Sequence, residues 1–444
     1  MPLMEAARCF TSDGLKVTFV NMEFTHKQVM SAWSEKDGET DLMQMVCITD
    51  GLEPWDDRND LRKWLEAMSR VGPSKLEDLI EGINKVDDEK ITCIIADFCM
   101  GWAIRVAQKM GVKQATFCPS SAANLALAMS VQKLMEDEVI DSKGVLLKNE
   151  MVQLSTTMPS MDPAHFSWLC MGDLVRNQIS FDVIILGGKE AAEASDYIIC
   201  NSNMELEPGV FTLFPKMLPI GPLLSTTRSA KQVGHFWKAD TTCQNWLDQQ
   251  PVCSVIYVAF GSVTVFDQNQ FVELALGLEL TNKPFLWVVR PGTAYVYPSG
   301  YMDRVTHGKV VSWAPQQEVL NHPSVACFVS HCGWNSTMEG VSNGAPFLCW
   351  PYFAEQFFNT TYICDIWKTG LGLDKDETGL VTRGEIKSKV EQLLSNKIVK
   401  ENALNLQEKV QARNSSYNNL RNFVDWIKEG GDNQLANENA QPSS

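Results

Sequence analysis

The stretch that most limits the fold lies at residues 313–356. Residues 325–331 are a short apolar run and read as a buried strand. Cys332-Gly333 interrupts the run as a turn. A helical segment follows, and Gly344 suits its C-terminal cap. Ser336 and Glu339 have the spacing of a capping box. Residues 345–350 are a second apolar strand closed by Pro351, and 352–367 is helix-like again. Strand, turn, helix, strand, helix describes a parallel sheet, because parallel neighbours need a crossover between them.

A turn from a parallel strand into a helix leaves backbone N–H groups beyond the carboxyl edge of the sheet. With the helix dipole they make an anion site. Here the turn also carries His331, Asn335 and Ser336, three donors suited to phosphate. Trp313 offers a flat face to an aromatic base. Glu339 can accept hydrogen bonds from ribose hydroxyls, and Glu355-Gln356 at the next junction can read sugar hydroxyls. Each residue alone has a plainer reading. Trp313, Trp334 and Trp350 fit as core aromatics, Glu339 as a cap partner of Ser336, and His331 as a structural histidine. All of them at this spacing favour a nucleotide-sugar site.

The frame is W-A-P-Q at 313–316, H-C-G-W-N-S-T-x-E at 331–339 and P-Y-x-x-E-Q at 351–356. It closely resembles the signature of the plant secondary-product UDP-glycosyltransferases. The resemblance extends from Met1 to about residue 428.

A chain of 444 residues predicts two to three domains. The net charge of −16 argues against nucleic acid or an anionic membrane surface as partner. It also means that local donors, not net charge, must attract a nucleotide diphosphate. Thirteen scattered cysteines without a C-x-x-C read as reduced thiols of a cytoplasmic protein. The first residues carry neither a basic segment nor an apolar core, and no apolar run reaches membrane-spanning length.

Strand-like runs at 16–21, 91–97, 114–118, 196–201 and 217–220 alternate with helical segments in the first half. Residues 61–84 read as two helices broken at Gly72-Pro73. The polar stretch 223–240 reads as a linker. The second half repeats the alternation, with strands at 255–260 and 285–289 before the signature. Leu420, Phe423, Val424 and Ile427 form one apolar helix face. Residues 429–444 are polar and expected to be disordered. The fold class is therefore α/β with two Rossmann-like parallel-sheet domains. The resemblance names this GT-B, with the two domains facing a central cleft. It assigns 1–222 to the acceptor and 241–415 to the UDP-sugar, with helix 416–428 returning to the first domain.

The resemblance also implies residue roles. Trp313 stacks on uracil, and the Ala314 backbone bonds the ring edge. Gln316 and Glu339 take the ribose hydroxyls. His331, Asn335 and Ser336 hold the diphosphate with Ser262 and Thr264. Trp334, Glu355 and Gln356 line the sugar. The expected partners are UDP-glucose and a small hydroxylated acceptor, and a monomer is expected. UDP-sugar is a co-substrate, so no cofactor is expected. No metal is expected either, because Asp374-Lys375-Asp376 lies in a solvated polar stretch outside the signature.

In the resembled family a histidine after the first strand is the general base, oriented by an aspartate. Asp97, at the end of a buried strand, matches that aspartate, although a plain loop or helix-capping role is its default reading. The family pattern places the Gly-His before a Pro-Leu pair, and here Pro2-Leu3 follows Met1. The base would fall upstream of Met1, and none of the six histidines is an obvious substitute. The expectation is an N-terminally truncated chain that lacks the first, internal strand of its sheet. A missing base typically costs about 10²–10⁴-fold in rate. A catalytically silent nucleotide-sugar-binding protein is therefore the competing reading. A nicotinamide oxidoreductase is disfavoured because no G-x-G-x-x-G follows a strand.

Overall fold

The structure, a computed structural model, describes residues 2–32, 42–58, 60–86, 90–224, 237, 239–412 and 414–438. The chain divides into two compact units. One is Met1–Phe236 with Arg413–Ser444, and the other is Trp237–Ala412. Most of the expected linker, residues 225–236 and 238, lies outside the described residues.

The second unit holds a six-stranded sheet. Its strands are β7 Val255–Ala259, β8 Phe285–Val288, β9 Gly308–Val311, β10 Val325–Ser330, β11 Phe347–Cys349 and β12 Gly370–Gly372. The order is β12-β11-β10-β7-β8-β9 and every pairing is parallel. β7 and β10 are therefore neighbours although three strand positions separate them in sequence, and the winding reverses between them. Helices cover both faces, so the strands read as unbroken apolar runs rather than alternations. Ile256, Val258, Phe285, Cys327 and Val329 are all buried in one core with Leu274, Leu278 and Ile386.

The first unit carries two parallel sheets. β1 Val17–Met22 pairs with β2 Met43–Ile48. Separately, β3 Cys93–Asp97, β4 Lys113–Cys118, β5 Tyr197–Cys200 and β6 Met217–Pro219 pair in that order. No ladder joins β1 to β3 among the described residues. Side chains join the two sheets instead. Val20 and Met22 pack with Ile94 and Ala96 around Trp102. Val17 packs with Cys93 and Ile95 around Phe10. All six residues of β1 are half-buried, whereas β4 is buried from Gln114 to Cys118.

Two expectations need correction. Residues 61–86 form one helix, Leu61–Val86, with Pro73 inside it. A proline in a helix interior costs about 3 kcal/mol. Leu65, Met68, Leu76 and Ile80 are buried on both sides of it, and each buried side chain contributes about 1.5–3 kcal/mol. Gly72 packs on Trp102, where a Cβ would come within 2.9 Å of the ring. The last helix, Asn414–Glu438, runs past residue 428 into the expected tail. Gln434, Leu435, Ala436 and Glu438 are good helix formers, and a polar composition does not preclude a helix. Residues 439–444 lie outside the described residues. Leu420, Phe423, Val424 and Ile427 of this helix pack into the first unit's core with Phe117, Ile199 and Ile220.

Among the described residues no helix is long and apolar enough to cross a membrane. The thirteen cysteines form no disulfide.

A strand paired on one side holds only half of its ladder, so its outward amides open easily. Hydrogen exchange should therefore be faster in β1 and β3 than in β7 and β10, each of which has two neighbours. Mass-spectrometric exchange by segment measures this. Equal protection in all four strands would contradict the divided sheet.

Candidate functional site

The site begins where β7 and β10 end. Beyond β7 the chain turns at Gly261, φ +67°, into Ser262 and Thr264. Beyond β10 it passes His331, turns at Cys332 with φ +63°, and enters helix Trp334–Ser342. Two bonds hold the strained turn at Cys332. Asn359 Nδ2 and Thr337 Oγ1 both donate to its carbonyl, at 2.9 and 3.3 Å.

His331 sits against two glycines. A Cβ on Gly261 would lie 2.6 Å from its Nε2, and one on Gly333 would lie 2.5 Å from it. Any side chain at either position would displace the imidazole. Burial, aided by the positive Arg290, pushes the His331 pKa from 6.5 down to about 4. The ring is therefore neutral at neutral pH. Its Nδ1 is buried without a hydrogen-bond partner, and so is Oγ1 of Thr264. Thr264 is only 5% exposed. Buried polar atoms are normally bonded, so these two mark a place where a ligand would complete them. Ser262 and Asn335 are exposed beside them, while Ser336 is buried.

The expected capping box does not form. Gly333, in an extended conformation, is the N-cap, and no side chain caps the helix start. Ser336 is the third helical residue, too far along the helix to cap it. Its hydroxyl accepts from Gln316 Nε2 at 2.9 Å. Gln316 Nε2 also donates to Glu339, and Gln317 Nε2 donates to the other Glu339 oxygen at 3.2 Å. Tyr257 OH donates to Gln316 Oε1 at 3.0 Å. Gln316, Ser336 and Glu339 thus form one bonded set, oriented from β7 by Tyr257.

Trp313 is half-buried next to this set, and Ala314 is buried. The ring of Trp237 lies 4.9 Å from that of Trp313, tilted by 38°. Asp240 N donates to Trp313 O at 2.9 Å. One face of Trp313 is therefore packed by protein.

At the next junction Gln356 is 3% exposed, and its Oε1 accepts from Tyr352 N at 2.8 Å and Phe353 N at 3.1 Å. Glu355 lies beside it, its carboxyl pushed upward by burial and held by the backbone N–H of Trp334. The Trp334 ring itself is buried and packs on Trp367 at 6.3 Å. The backbone N–H of Trp334 faces these polar groups.

Asp97 lies on the first unit, at the end of β3. Its Oδ1 accepts from Cys99 N at 2.9 Å and caps the short 3-10 turn Phe98–Met100. Burial raises its pKa. No histidine among the described residues bonds to it. At the carboxyl end of β1, Asn21 Nδ2 and His26 Nδ1 are buried without partners. Asp374 pairs with Lys389 at 3.0 Å, and Asp376 accepts from Thr378 and Leu380 in its own turn. No cluster suited to a metal ion occurs among the described residues.

Sequence reasoning missed Tyr257, Trp237 and Arg290. Tyr257 is one residue of an apolar strand and gave no signal. Trp237 fell in a stretch read as linker. Arg290 was legible, because a charged residue just past a buried parallel strand lies at the edge where ligands bind.

Residues 227–427 match the family model described as UDP-glucoronosyl and UDP-glucosyl transferase. UDP-glycosyltransferase 83A1 of Arabidopsis thaliana is 42% identical, covering 96% of this chain and 94% of its own length. The (R)-mandelonitrile beta-glucosyltransferase of Prunus dulcis is 31% identical, covering 96% and 94%. The crystal structure of Os79 from O. sativa in complex with UDP matches with a TM-score of 0.81 at 25% identity, covering 96% of each chain.

A histidine with a depressed folded pKa destabilises the fold in acid, because the unfolded chain takes up a proton that the folded chain refuses. The His331 contribution should be lost as pH falls from 6.5 toward about 4, and should level off below that. Urea unfolding across this range, followed by tryptophan fluorescence, should show a smaller acid slope for His331→Asn. Identical slopes would mean that the ring titrates normally.

Proposed function

The chain belongs to the UDP-glucoronosyl and UDP-glucosyl transferase family, and we propose that the sugar it transfers is glucose, delivered with inversion. The coarser statement stands on the family itself: this is a glycosyltransferase that moves a sugar from a UDP-sugar to a small-molecule acceptor. The observation that carries the donor reading is the bonded set of Gln316, Ser336 and Glu339 next to Trp313. Similarity to a beta-glucosyltransferase supports both the glucose and the stereochemistry.

In this reading uracil stacks on Trp313, with the Ala314 backbone at its edge. Ribose hydroxyls donate to Glu339 and to Gln316 Oε1, which has room for a second donor beside Tyr257. His331, Asn335, Ser336, Ser262 and Thr264 surround the diphosphate with neutral donors. Glu355, Gln356 and the Trp334 backbone meet the sugar. The acceptor hydroxyl gives its proton to water as its oxygen bonds to the anomeric carbon. The bond to UDP breaks, and its electron pair passes to the β-phosphate. Attack from the opposite face turns an α-linked donor into a β-glucoside. Donors aimed in advance at the charge that develops on UDP lower the barrier. We propose that they do so without a metal, in a cytoplasmic monomer.

One observation favours a second reading. The Asp97 carboxylate is engaged by Cys99 and, among the described residues, by no histidine, as a silent UDP-sugar-binding protein would allow. Incubation with UDP-glucose and a panel of hydroxylated acceptors, followed by mass spectrometry, separates the two. We expect glucoside formation, with Trp313→Ala and Glu339→Ala each raising the KM for UDP-glucose by about 10- to 100-fold. UDP binding without product would select the silent reading. Absence of UDP binding would end both.

A further inference from the structure

Arg290 follows β8, whose carboxyl end lies next to that of β7. Its Nη1 and Nη2 donate to the carbonyls of Ser262 and Thr264. The side chain is half-buried. No carboxylate lies within ion-pair distance of it among the described residues, although acidic residues outnumber basic ones, 54 to 38, in the chain. A cation removed from water normally has an anionic partner, because desolvation is otherwise uncompensated. Two backbone carbonyls orient the guanidinium but do not neutralise it.

The surroundings indicate what would. Arg290, Gly261 and Thr264 line the same small cavity of about 30 Å³. The Thr264 hydroxyl is buried and unpartnered, as is Nδ1 of His331. Arg290 is close enough to His331 to help depress its pKa. An unpaired cation and two unsatisfied polar atoms thus converge at one sheet edge. None of the other residues assigned to this site is a lysine or arginine.

We propose that Arg290 is the cation that meets the nucleotide diphosphate and stabilises the charge gathering on UDP as it leaves. The proposal rests on the UDP-sugar reading above. Arg290 also keeps the loop carrying Ser262 and Thr264 in place, so the test must separate charge from scaffolding. Uridine carries the same base and ribose but no phosphate. A residue that meets the diphosphate affects UDP alone. Because Ser262 and Thr264 themselves meet the diphosphate, a residue that only shapes their loop would also spare uridine. Charge is told from scaffolding by the salt dependence of UDP binding, which a cation confers and a neutral scaffold does not.

The experiment compares UDP and uridine binding to the full chain and to Arg290→Gln, by calorimetry or by tryptophan quenching. Arg290→Gln should weaken UDP about 10- to 100-fold, as expected for loss of a charge-assisted contact, and leave uridine unchanged. The kcat with UDP-glucose should fall in parallel. Arg290→Lys, which keeps the charge but loses the planar fork, should recover part of the UDP affinity. It also serves as the test if the Gln variant does not fold. Raising the salt concentration should then weaken UDP but not uridine binding to Arg290→Lys. Equal weakening of both ligands, or unchanged UDP binding by Arg290→Gln, would overturn the proposal. For Arg290→Lys, a UDP affinity insensitive to salt would also overturn it. If the wild-type chain bound no UDP, the donor reading would fail first and this inference with it.

Discussion

The reversal of strand winding between β7 and β10 is the constraint on which the second unit depends. Connections from two strands on either side of a reversal leave in opposite directions, so nothing covers the space between their carboxyl ends. Into that space β7 sends Gly261, Ser262 and Thr264, and β10 sends His331 and an uncapped helix start. The donors converge there because topology keeps the site open. Glycine is required at 261 and 333 for the same reason. The imidazole occupies the volume that a Cβ at either position would need.

Such a site binds an anion in an acidic protein through local fields. At a net charge of −16 the long-range field repels a diphosphate. Dissolved salt screens that repulsion beyond about 10 Å at 0.1 M ionic strength, while donors in a partly dry pocket are screened much less. Keeping His331 neutral fits this design. A buried imidazolium would carry a large desolvation cost whenever the ligand was absent, whereas a neutral ring donates at little cost in either state. The charge is then left to Arg290, whose carbonyl partners hold it in place without cancelling it.

The first unit follows a different rule. Its two sheets are joined by packing around Trp102 and Phe10 rather than by a ladder. Hydrophobic contact is non-directional, so it holds the layers together without fixing register in the way hydrogen bonds do. Asp97 and the unpartnered atoms of Asn21 and His26 lie at the carboxyl ends of the two strands that flank this junction.

Residue order alone was enough to place the parallel α/β class, both halves and the strand–turn–helix at 325–342, because apolar period, glycine turns and crossover lengths are local properties. The same order gathered Trp313, Gln316, His331, Ser336 and Glu339 into one stretch. It misjudged Ser336, whose spacing suited a cap, because the choice between capping and bonding Gln316 depends on where the helix begins in three dimensions. It broke the helix at Pro73, since the burial that outweighs a proline is not visible in a window of neighbours. Tyr257 and Arg290 reach the site from strands 59 and 41 residues before Gln316 and His331. Only the sheet order β10-β7-β8 brings them there. The sequence by itself determined the elements and the chemistry available. The tertiary structure decided which side chains meet, because parallel pairing joins residues that no local pattern connects.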